Sequence, residues 1–292
     1  MRLSERVTIG ITTKDRWDEL ENTVAILVGL GLSDLPFILM DDGSREERAL
    51  RCVRPLSDCR VVRGSESVGL VERRNQIAAL ARTDLLLSLD DDASLTSGKH
   101  LERAVAYLDA NPNVSVVSAR VINVSPHDAR AIVIDDTDDR PIPVRSFHGG
   151  GHLLRVADLL NLGGYRGYFR YLCEERDYAM RLYGAGKKIA LFPSFIVIHR
   201  PSLVGRCKKR FCFYRGQSTL LCWMLNAPGR AFLWRVIRCL VGVIYLTIKE
   251  RGPLPDTLHG FVAAARLFAA HRQDRSAMPI QAYREWLRLA EL

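Results

Sequence analysis

The sequence predicts an α/β fold with a mostly parallel central sheet, flanking helices and a helical region at the C-terminal end of the chain. Short apolar, β-branched runs alternate with segments of helical periodicity through the first part of the sequence. Several of these runs end abruptly in acidic or hydroxyl side chains. Because the carboxyl ends of parallel strands form the ligand-binding edge of such a sheet, the pattern places a polar site at that edge.

The elements follow one another in a regular order. Val7 to Thr12 is a β-branched run, and the next apolar positions share one helical face, so we expect a helix that Asp15 opens and Gly31 ends. Further strands are expected at Phe37–Met40, Arg60–Val62, Leu85–Leu89, Val114–Ile122 and Ile189–Ile198, with short ones near Val144 and Leu153. Further helices are expected at Val71–Ala81, Ser97–Leu108 and Glu174–Tyr183, followed by a basic helical region from Leu203.

The apolar run Leu85–Leu89 ends in three adjacent carboxylates, Asp90, Asp91 and Asp92. Carboxylates crowded at a strand end repel one another unless a positive group lies among them. Mn²⁺ and Mg²⁺ prefer oxygen ligands and keep open positions for phosphate oxygens, so a divalent cation site is one interpretation. The other is a solvated acidic loop that caps the following helix.

Composition limits the classes of protein that this chain can represent. Its 292 residues, 48% of them hydrophobic, suffice for a large packed core. The seven cysteines form no C-x-x-C pair and the first residues carry no apolar signal region, so a reducing, cytoplasmic location is expected. The phosphate-loop and dinucleotide fingerprints are both missing, which disfavours a P-loop NTPase and a Rossmann dehydrogenase.

The net charge of +9 is concentrated near the C-terminal end. Between Arg200 and Arg251 there are eleven basic residues and one acid, Glu250, mixed with apolar clusters at helical spacing. The pattern is typical of helices that lie on an anionic membrane, and also of amphipathic helices that pack on the protein with solvated arginines. The longest uncharged apolar run, Cys239–Ile248, is about half as long as the roughly 20 residues of a spanning helix, so no transmembrane span is expected.

Three further features suit a ligand-binding edge. Asp41 and Asp42 can accept hydrogen bonds from a nucleotide base or ribose, or can form a simple Asp-Gly turn. The run Gly149–Gly151 permits close approach to a ligand or to another chain segment, or forms a flexible turn. His199, at the end of a predicted strand, is either a metal ligand or a structural histidine.

A second acidic cluster, Glu174, Glu175 and Asp177, lies at the start of a predicted helix. Acids are favoured there by the helix dipole, without any further role. A carboxylate in the same place can also act as a general base that takes a proton from a hydroxyl group.

Ordered motifs run through about residues 5 to 200. In chain order they are Ile9–Arg16, Leu39–Ser44, Gly69 with Arg73-Arg74-Asn75, Leu89–Asp92, Gly163-Gly164-Tyr165, Glu174–Asp177 with Arg181-Leu182 and Gly186, and Val197-Ile198-His199. This series closely resembles the family-2 inverting glycosyltransferases with the GT-A fold. Several motifs in the right order are far more specific than any one of them.

The resemblance implies roles for individual positions. Asp90 and Asp92 would be the ends of the D-x-D motif and bind the metal, with Asp92 as the direct ligand and His199 completing the site. Lys14 and Asp15 stand where such enzymes usually carry Tyr and Asn, so the loop around the base would be altered. The implied donor site comprises Thr12, Thr13, Arg16, Asp41, Asp42, Gly69, Arg74, Asn75, Asp90 and Asp91, and the implied acceptor region comprises Gly149, Gly150 and Gly151.

Glu175 occupies the position where the family carries its catalytic base. The base is usually an aspartate, so Glu174 and Asp177 stay open as substitutes. The resemblance implies a single displacement at the anomeric carbon, in which the base deprotonates the acceptor hydroxyl. The metal, together with Arg74 or a basic residue such as Lys208 or Arg215, would neutralise the departing diphosphate.

The resemblance also implies the partners and the organisation of the chain. A divalent cation, Mn²⁺ or Mg²⁺, and a nucleotide-diphosphate sugar would be required, and the acceptor would be a saccharide, a lipid-linked molecule or a natural product, as in polysaccharide or glycolipid synthesis. The catalytic domain would span residues 1–202, with a donor half at 1–110 and an acceptor half at 111–202. Residues 203–292 would form a basic amphipathic helical region, with the enzyme cytoplasmic or peripheral on the inner face of an anionic membrane.

Two other functions compete with this interpretation. A sugar-phosphate nucleotidyltransferase usually needs a glycine-rich basic loop after the first strand, and Thr12–Arg16 contains no glycine. A basic nucleic-acid-binding protein would place cations and aromatic side chains along a groove, and the composition of Phe211–Arg215 fits that alternative. Acidic turns at the ligand-binding edge would repel phosphates, so no nucleic acid partner is expected.

Overall fold

The computed structural model describes residues 2–124, 140–202 and 207–292, so the expected boundary at residue 203 lies outside the described residues. Each strand and helix that the sequence predicts in this part of the chain is present. The strands are β1 (Val7–Thr13), β2 (Pro36–Asp41), β3 (Asp58–Arg63), β4 (Leu85–Asp90), β5 (Ala93–Leu95), β6 (Val114–Asn123), β7 (Ile142–Pro143), β8 (Gly151–Arg155) and β9 (Lys188–His199). The helices are α1 (Trp17–Gly29), α2 (Ala49–Val53), α3 (Leu70–Leu80), α4 (Gly98–Ala110), α5 (Val156–Asn161), α6 (Glu174–Gly184), α7 (Lys208–Asn226), α8 (Gly229–Lys249), α9 (Leu254–Ala270) and α10 (Ile280–Arg288).

The chain forms two compact units. The first comprises Met1–Gly164, Lys187–Val204 and Ala290–Leu292, and it contains the sheet. The second comprises Tyr165–Gly186 and Gly205–Leu289, and it contains α6 to α10. The segment around α6 therefore belongs with the C-terminal helices by its contacts.

The first unit is built on a nine-stranded sheet of order β3-β2-β1-β4-β8-β6-β9-β5, with β7 paired to β9. Strands β3, β2, β1, β4, β6 and β9 run in one direction, and β8, β5 and β7 run against them. The predicted mostly parallel sheet is confirmed, and β8 lies antiparallel between β4 and β6. The sheet therefore joins a parallel half, β3-β2-β1-β4, to a second half of mixed direction.

Strand β4 lies at the centre of the sheet and explains the unbroken apolar run in the sequence. Leu85, Leu87 and Leu89 are fully buried on one face, within a core that also takes in Ile9 from β1. Leu86, which points to the other face, is 2% exposed. A strand covered on both faces needs apolar side chains at every position, so alternation is absent where the sheet is most buried.

The first helix shows one correct and one wrong expectation. Gly31 lies just past the end of α1 with a φ of 74°, and its N–H donates to Val28 O while the Leu32 N–H donates to Leu27 O, a Schellman arrangement. Asp15 does not cap the helix, which begins at Trp17. The Asp15 carboxylate instead accepts from the Arg45 N–H at 2.8 Å, because its left-handed backbone turns the side chain towards the loop after β2.

The second unit is a packed group of helices. Helices α7 and α9 approach closely at two glycines: a Cβ on Gly260 would lie 2.2 Å from Phe213 O, and one on Gly216 would lie 2.5 Å from Thr257 O. Around this contact lies an apolar core that includes Leu221. Substituting either glycine would force the two helix backbones apart.

Helix α8 differs from its neighbours in the exposure of its apolar side chains. Its Cys239, Val243 and Thr247 are buried, whereas most of the remaining large apolar side chains face solvent. Within the described residues, α8 alone is long and apolar enough to cross a membrane, judged by length and composition.

Candidate functional site

The acidic and hydroxyl side chains that follow β1, β2 and β4 meet at one edge of the sheet. Thr13 is in register with Asp41, and Thr12 is in register with Asp90. This arrangement follows from parallel pairing, which aligns the carboxyl ends of neighbouring strands. The site is therefore assembled by the sheet itself, with the side chains fixed on its last residues.

Asp90, Asp92 and His199 form a cluster that can hold a metal ion. One ligand atom from each lies within 4.8 Å of the others. His199 reaches this position because β5 pairs antiparallel with β9, which sets Ala93 opposite His199. The pairing continues in the Arg200 N–H, which donates to Asp92 O at 2.8 Å.

The hydrogen bonds around His199 define which ring nitrogen faces the acids. Nδ1 lies 2.7 Å from Asn123 Oδ1, an acceptor, so Nδ1 carries the proton. Nε2 then faces Asp92 Oδ1, 3.1 Å away. Asp92 Oδ1 is buried and, among the residues that the structure describes, has no hydrogen-bond partner. Two acceptors in contact require a cation between them, either a second proton on the ring or a metal ion.

The donor set fits a hard or borderline divalent cation. Two carboxylates and one imidazole suit Mn²⁺, which accepts both oxygen and nitrogen ligands. The orientation of the histidine by a neighbouring acceptor, here Asn123, is the usual outer-shell support of such ligands. Asp90, Asp92 and His199 can therefore hold such a cation, and their role as its ligands stays a prediction.

Arg16 lies on the other side of the acidic triplet and neutralises it in part. Its NH1 donates to Asp92 Oδ2 at 2.9 Å and its NH2 lies 3.1 Å from Asp91 Oδ1. Asp92 Oδ2 also accepts from the Ser202 N–H at 3.1 Å. Burial opposes ionisation of Asp92, but the contact with His199, the Ser202 N–H and the Arg16 charge outweigh it and lower its pKa. Asp92 is thus held as a carboxylate with Oδ1 turned to His199.

Asp91, the middle residue of the triplet, faces the protein interior. It is fully buried and accepts from Thr13 Oγ1 at 2.7 Å, while its backbone oxygen accepts from Thr23 Oγ1 at 2.8 Å. Burial raises the pKa of Asp91 to about 8, although the Arg16 charge acts in the opposite direction. Asp91 therefore supports the β4 end from inside, whereas Asp90 is partly exposed and Asp92 is buried beside His199.

Asp41 and Asp42 are both engaged by the loops around them. Asp41 accepts from the N–H and the hydroxyl of Ser44, at 2.9 and 2.6 Å. Asp42 accepts from Ser67 Oγ at 2.6 Å and from the Val68 N–H at 2.9 Å, and it pairs with Arg73 Nε at 2.9 Å. Burial opposes the ionisation of Asp42, and these hydrogen bonds outweigh it and lower its pKa. The carboxylate of Asp42 thereby fixes the loop that leads into α3.

A cleft of about 290 Å³ opens beside these loops. It is lined by Gly43, Ser44, Arg63, Gly64 and Ser65. Arg63 Nε lies 3.4 Å from Asp41 Oδ2, which has no hydrogen-bond partner among the described residues. The cleft therefore offers backbone groups, a hydroxyl and a cation to a polar ligand, and Arg63 links it to the buried Asp41 carboxylate.

The two arginines at the start of α3 have different partners. Arg73 contacts Asp42 and donates to Glu66 O at 2.8 Å, so it belongs to the loop. Arg74 is buried and donates both to Asp90 Oδ1 and to Gly149 O, each at 2.8 Å. Arg74 therefore joins the end of β4 to the glycine run and places its charge at Asp90. Its expected contact with the donor nucleotide stays a prediction.

The glycine run provides close backbone packing. Gly151 pairs with Leu89, and a Cβ there would lie 2.7 Å from Val197 Cγ2. A Cβ on Gly150 would lie 3.3 Å from Asp90 Oδ2. Of the two interpretations, close approach to another chain segment is confirmed at Gly151. The expected contact of Gly149, Gly150 and Gly151 with an acceptor stays a prediction.

Two further donor-site candidates help to position α3. Gly69 precedes this helix with a φ of 100°, and its N–H donates to both oxygens of Asp42. Asn75 lies against Gly164, where a Cβ would be 2.7 Å from Asn75 Oδ1. Both residues support the loop and helix that carry Arg74.

Comparison with known proteins decides the family. The family model described as "Glycosyl transferase family 2" matches residues 8–176, which is more than half of the chain. The chain belongs to glycosyl transferase family 2. No curated protein matches it in sequence.

Solved structures similar to this family 2 chain have the GT-A fold. The mannosyltransferase PcManGT from Pyrobaculum calidifontis, solved with GDP-Man and Mn²⁺, has a TM-score of 0.57 at 18% identity, covering 97% of this chain and 87% of that one. S. aureus TarS 1-349 with UDP-GlcNAc has a TM-score of 0.56 at 14% identity, covering 96% and 92%. GalNAc-T7 with UDP, GalNAc and Mn²⁺ has a TM-score of 0.55 at 16% identity, covering 74% and 50%. The predicted family and fold are confirmed.

The second unit of this family 2 chain carries the acidic cluster of α6. Asp177 is fully buried, and it accepts from Arg166 NH1 at 2.5 Å, Arg181 Nε at 3.0 Å and Asn226 Nδ2 at 2.8 Å. Glu174 is 3% exposed, whereas Glu175 is half-buried. Of the three acids, Glu175 is the most exposed residue.

The loop before α6 has an unusual backbone. Arg170, Leu172 and Cys173 have φ values of 56°, 66° and 66°. Each L-residue in this region costs on the order of 1 kcal/mol or more, and such residues cluster where a protein holds functional groups in place. The family 2 sequence gives no glycine to signal this loop, so sequence reasoning did not find it.

Two functional candidates were missed by the sequence analysis. Asn123 orients His199, and Arg73 fixes the loop that Asp42 organises. Arg73 lies in the ordered motif that contains Gly69, Arg74 and Asn75, so the second positive charge next to Arg74 could have indicated its role. Asn123 lies 76 positions from its partner and has no local signal, since only the pairing of β6 with β9 brings the two together.

Replacing Asp177 with alanine is expected to destabilise the protein by about 3–5 kcal/mol, because it removes the acid from a pair of largely buried arginines. The urea midpoint measures the effect. Asp18→Ala is the matched control: its salt bridge with Arg48 involves a side chain that is 81% exposed, so a change within about 0.5 kcal/mol is expected. Equal midpoints for the two variants would contradict a structural role for Asp177.

Proposed function

We propose that this family 2 protein is a metal-dependent, inverting glycosyltransferase that moves a sugar from a nucleotide-diphosphate sugar to an acceptor hydroxyl. The observation that carries the proposal is the cluster of Asp90, Asp92 and His199 at the carboxyl end of the sheet, in which His199 Nε2 and Asp92 Oδ1 face each other 3.1 Å apart. Such an arrangement suits a metal ion that is bound next to a diphosphate. Nearby acids and hydroxyls then suit the rest of a nucleotide.

The proposed metal site consists of Asp92, Asp90 and His199. A divalent cation there, Mn²⁺ or Mg²⁺, supplies positive charge that stabilises the diphosphate as it departs. Arg16 donates to Asp92 Oδ2, and Arg74 donates to Asp90 Oδ1. These hydrogen bonds keep the two carboxylates in place. Complexes of the similar mannosyltransferase and of GalNAc-T7 contain Mn²⁺, which supports manganese as the first cation to test.

The proposed donor site lies at the ends of β1 and β2 and at the start of α3. Thr12 and Thr13 lie at the sheet edge, where the Thr13 hydroxyl donates to Asp91, and the cleft beside Asp41 offers a place for the base. Asp42 acts through the loop that it fixes, since its hydrogen bonds are made within the protein. Similar structures hold GDP-Man or UDP-GlcNAc, and either nucleotide class fits a site of this chemistry.

The proposed catalytic base is Glu175. It takes the proton of the acceptor hydroxyl as that oxygen bonds to the anomeric carbon, the bond from this carbon to the phosphate oxygen breaks, and the nucleoside diphosphate leaves with the electron pair. Attack from the opposite face inverts the configuration. Glu175 is favoured over Asp177 because Asp177 is fully buried and paired with two arginines, and over Glu174 because Glu174 is 3% exposed.

The acceptor is proposed to be a saccharide or lipid-linked molecule, which would account for a basic and apolar helical region better than a soluble natural product would. Its binding is assigned to the backbone around Gly149–Gly151. The enzyme is proposed to act in the cytoplasm. All seven cysteines are free thiols, which is consistent with a reducing compartment.

Thermal stabilisation by nucleoside diphosphates tests the function directly. UDP, GDP, dTDP, CDP and ADP are each added with and without Mn²⁺, and one of them is expected to raise the melting temperature only when Mn²⁺ is present. A ligand at about 100 times its Kd adds about 2.7 kcal/mol to the free energy of unfolding. Stabilisation by a nucleoside triphosphate with a sugar phosphate, and by none of the diphosphates, would instead indicate a nucleotidyltransferase.

Replacing Asn123 with leucine is expected to weaken Mn²⁺ binding by roughly 10–100-fold, because the variant loses the acceptor that orients His199. Electron paramagnetic resonance of free Mn²⁺ gives the Kd. Asn123→Asp keeps an acceptor at the same position and is the matched control, for which we expect a Kd close to that of the wild type. Unchanged binding in the leucine variant would contradict the assigned role.

A further inference from the structure

One face of α8 is apolar and open to solvent. Its side chains include Trp234 at 60% exposure, Val241 at 63% and Tyr245 at 61%. Helix α9, in the same unit, adds Leu258 and Val262. Exposed apolar patches of this extent mark sites that bind another protein or a membrane. The remaining exposed apolar side chains of α8 are Leu233, Ile237, Leu246 and Ile248.

The opposite face of α8 is fixed to its own unit. Cys239, Val243 and Thr247 are buried, and Thr247 Oγ1 lies 3.1 Å from Thr257 Oγ1 of α9. The Thr247 hydroxyl also donates to Val243 O. Packing on the other side of the helix therefore keeps the apolar face of α8 turned to solvent. A separate partner surface would have to contact that face to shield it from water.

The charges of α8 indicate which kind of surface can bind its open apolar face. Arg230, Arg238 and Lys249 are exposed on this helix, and residues 229–249 contain no acid. Glu250, the next residue, pairs with Arg215 at 2.7 Å. Two such basic faces would repel each other, whereas an anionic surface with an apolar interior complements both the cations and the apolar side chains.

Arg235 has a separate role from these cations. Its guanidinium lies over the rings of Trp223 and Tyr283, at 4.9 and 5.4 Å from their centroids. These stacking contacts hold it within the unit. The cations available to an external surface are those of the open face.

We propose that α8 lies in the plane of an anionic lipid bilayer, with its open apolar face inserted among the acyl chains and its cations at the headgroup phosphates. Length and composition alone would also allow a spanning helix. Arg238 argues against it, because this residue lies at the middle of Gly229–Lys249 and a spanning helix would place its charge near the bilayer centre. In the plane, its side chain reaches the phosphates. The inference does not depend on the proposed transferase reaction, since lipid binding requires no sugar donor.

Vesicle flotation tests the binding. The full chain is mixed with phosphatidylcholine vesicles or with vesicles that also contain one quarter phosphatidylglycerol, at low and high salt. Binding is expected to the anionic vesicles, and it should weaken with salt. Arg238→Ala should lower the partition coefficient about fivefold, and Val241→Glu should lower it by at least about tenfold.

Matched control variants separate the open face from general effects of charge. Arg54→Ala removes an exposed arginine at the end of α2, and Leu50→Glu changes a leucine of α2 that is 70% exposed. Neither change is expected to alter flotation. Binding that is equal for both vesicle types, or equal losses in the α8 and α2 variants, would overturn the proposal.

The depth of two positions distinguishes a helix that lies in the membrane from one that spans it. Trp234 is the exposed tryptophan, since Trp17 and Trp286 are buried and Trp223 is half-buried. Quenching of the Trp234 fluorescence by brominated lipids measures the depth of this side chain in the bilayer. The double variant Trp234→Phe with Tyr245→Trp moves the tryptophan by eleven residues, or about 16 Å along the helix axis. Equal depths are expected. A depth difference near that length would overturn the in-plane orientation, and a dimer that binds no vesicle would identify a second copy as the cover.

Discussion

Replacing Glu175 with glutamine is expected to lower the turnover number by about 10²–10⁴-fold while leaving donor binding nearly unchanged, because a positioned base contributes in this range. Glutamine keeps the size and the hydrogen-bonding carbonyl of the side chain but cannot take a proton. The loss should therefore appear in kcat, with the KM for the nucleotide sugar almost constant. The measurement is transfer from the nucleotide sugar that the diphosphate screen identifies.

The neighbouring acids serve as controls for the Glu175 variant. Glu174→Gln changes the adjacent carboxylate, which is 3% exposed, and is expected to cost much less in kcat. Each variant is also tested for stabilisation by the diphosphate with Mn²⁺, which reports a folded donor site independently of transfer. If Glu174→Gln loses turnover and Glu175→Gln does not, the base is Glu174, the substitute that the sequence leaves open.

The first half of the sheet, from β1 to β4, is predictable from local sequence. The β-branched run Val7–Thr13 and the apolar run of β4 each end in polar side chains, and a helix follows each of the first strands. Parallel pairing then places Thr13 beside Asp41 and Thr12 beside Asp90 with no further information. Local pattern and general topology therefore suffice for this half.

The second half depends on pairings that local pattern does not reveal. Strand β8 enters between β4 and β6 in the antiparallel direction, and β5 pairs with β9 across more than a hundred residues. The second pairing makes His199 a neighbour of Asp92. From its own surroundings in the sequence, His199 could equally have been a structural histidine.

The role of an acid in a loop is also hidden from the sequence. Asp41 and Asp42 both follow β2, and either could have faced a ligand. In the structure, Asp42 accepts hydrogen bonds from Ser67, Val68 and Arg73. Asp41 Oδ2 lies near the cleft and has no hydrogen-bond partner among the described residues. The choice depends on the path of the loop after β3, which is set by its turns and not by its composition.

Replacing Asp92 with alanine is expected to abolish Mn²⁺ binding at micromolar concentrations, a loss of more than about 100-fold, because it removes a direct ligand and not an outer one. Stabilisation by the diphosphate should then no longer depend on Mn²⁺. Asp92 Oδ1 is the buried oxygen that faces His199. Alanine removes this oxygen, so the His199 ring no longer has the Asp92 carboxylate opposite it. Manganese titration and thermal shifts measure the two effects separately.

The control for Asp92→Ala must separate metal binding from folding. Asp92 Oδ2 accepts from Arg16 and from the Ser202 N–H, so its loss also removes structural hydrogen bonds. His199→Ala removes a ligand of the same cluster without touching these bonds, and it is expected to weaken Mn²⁺ binding while the metal-free melting temperature stays near that of the wild type. If Asp92→Ala lowers the metal-free melting temperature and His199→Ala leaves the Mn²⁺ Kd unchanged, the cluster is a structural ion pair, and the metal-dependent mechanism is wrong.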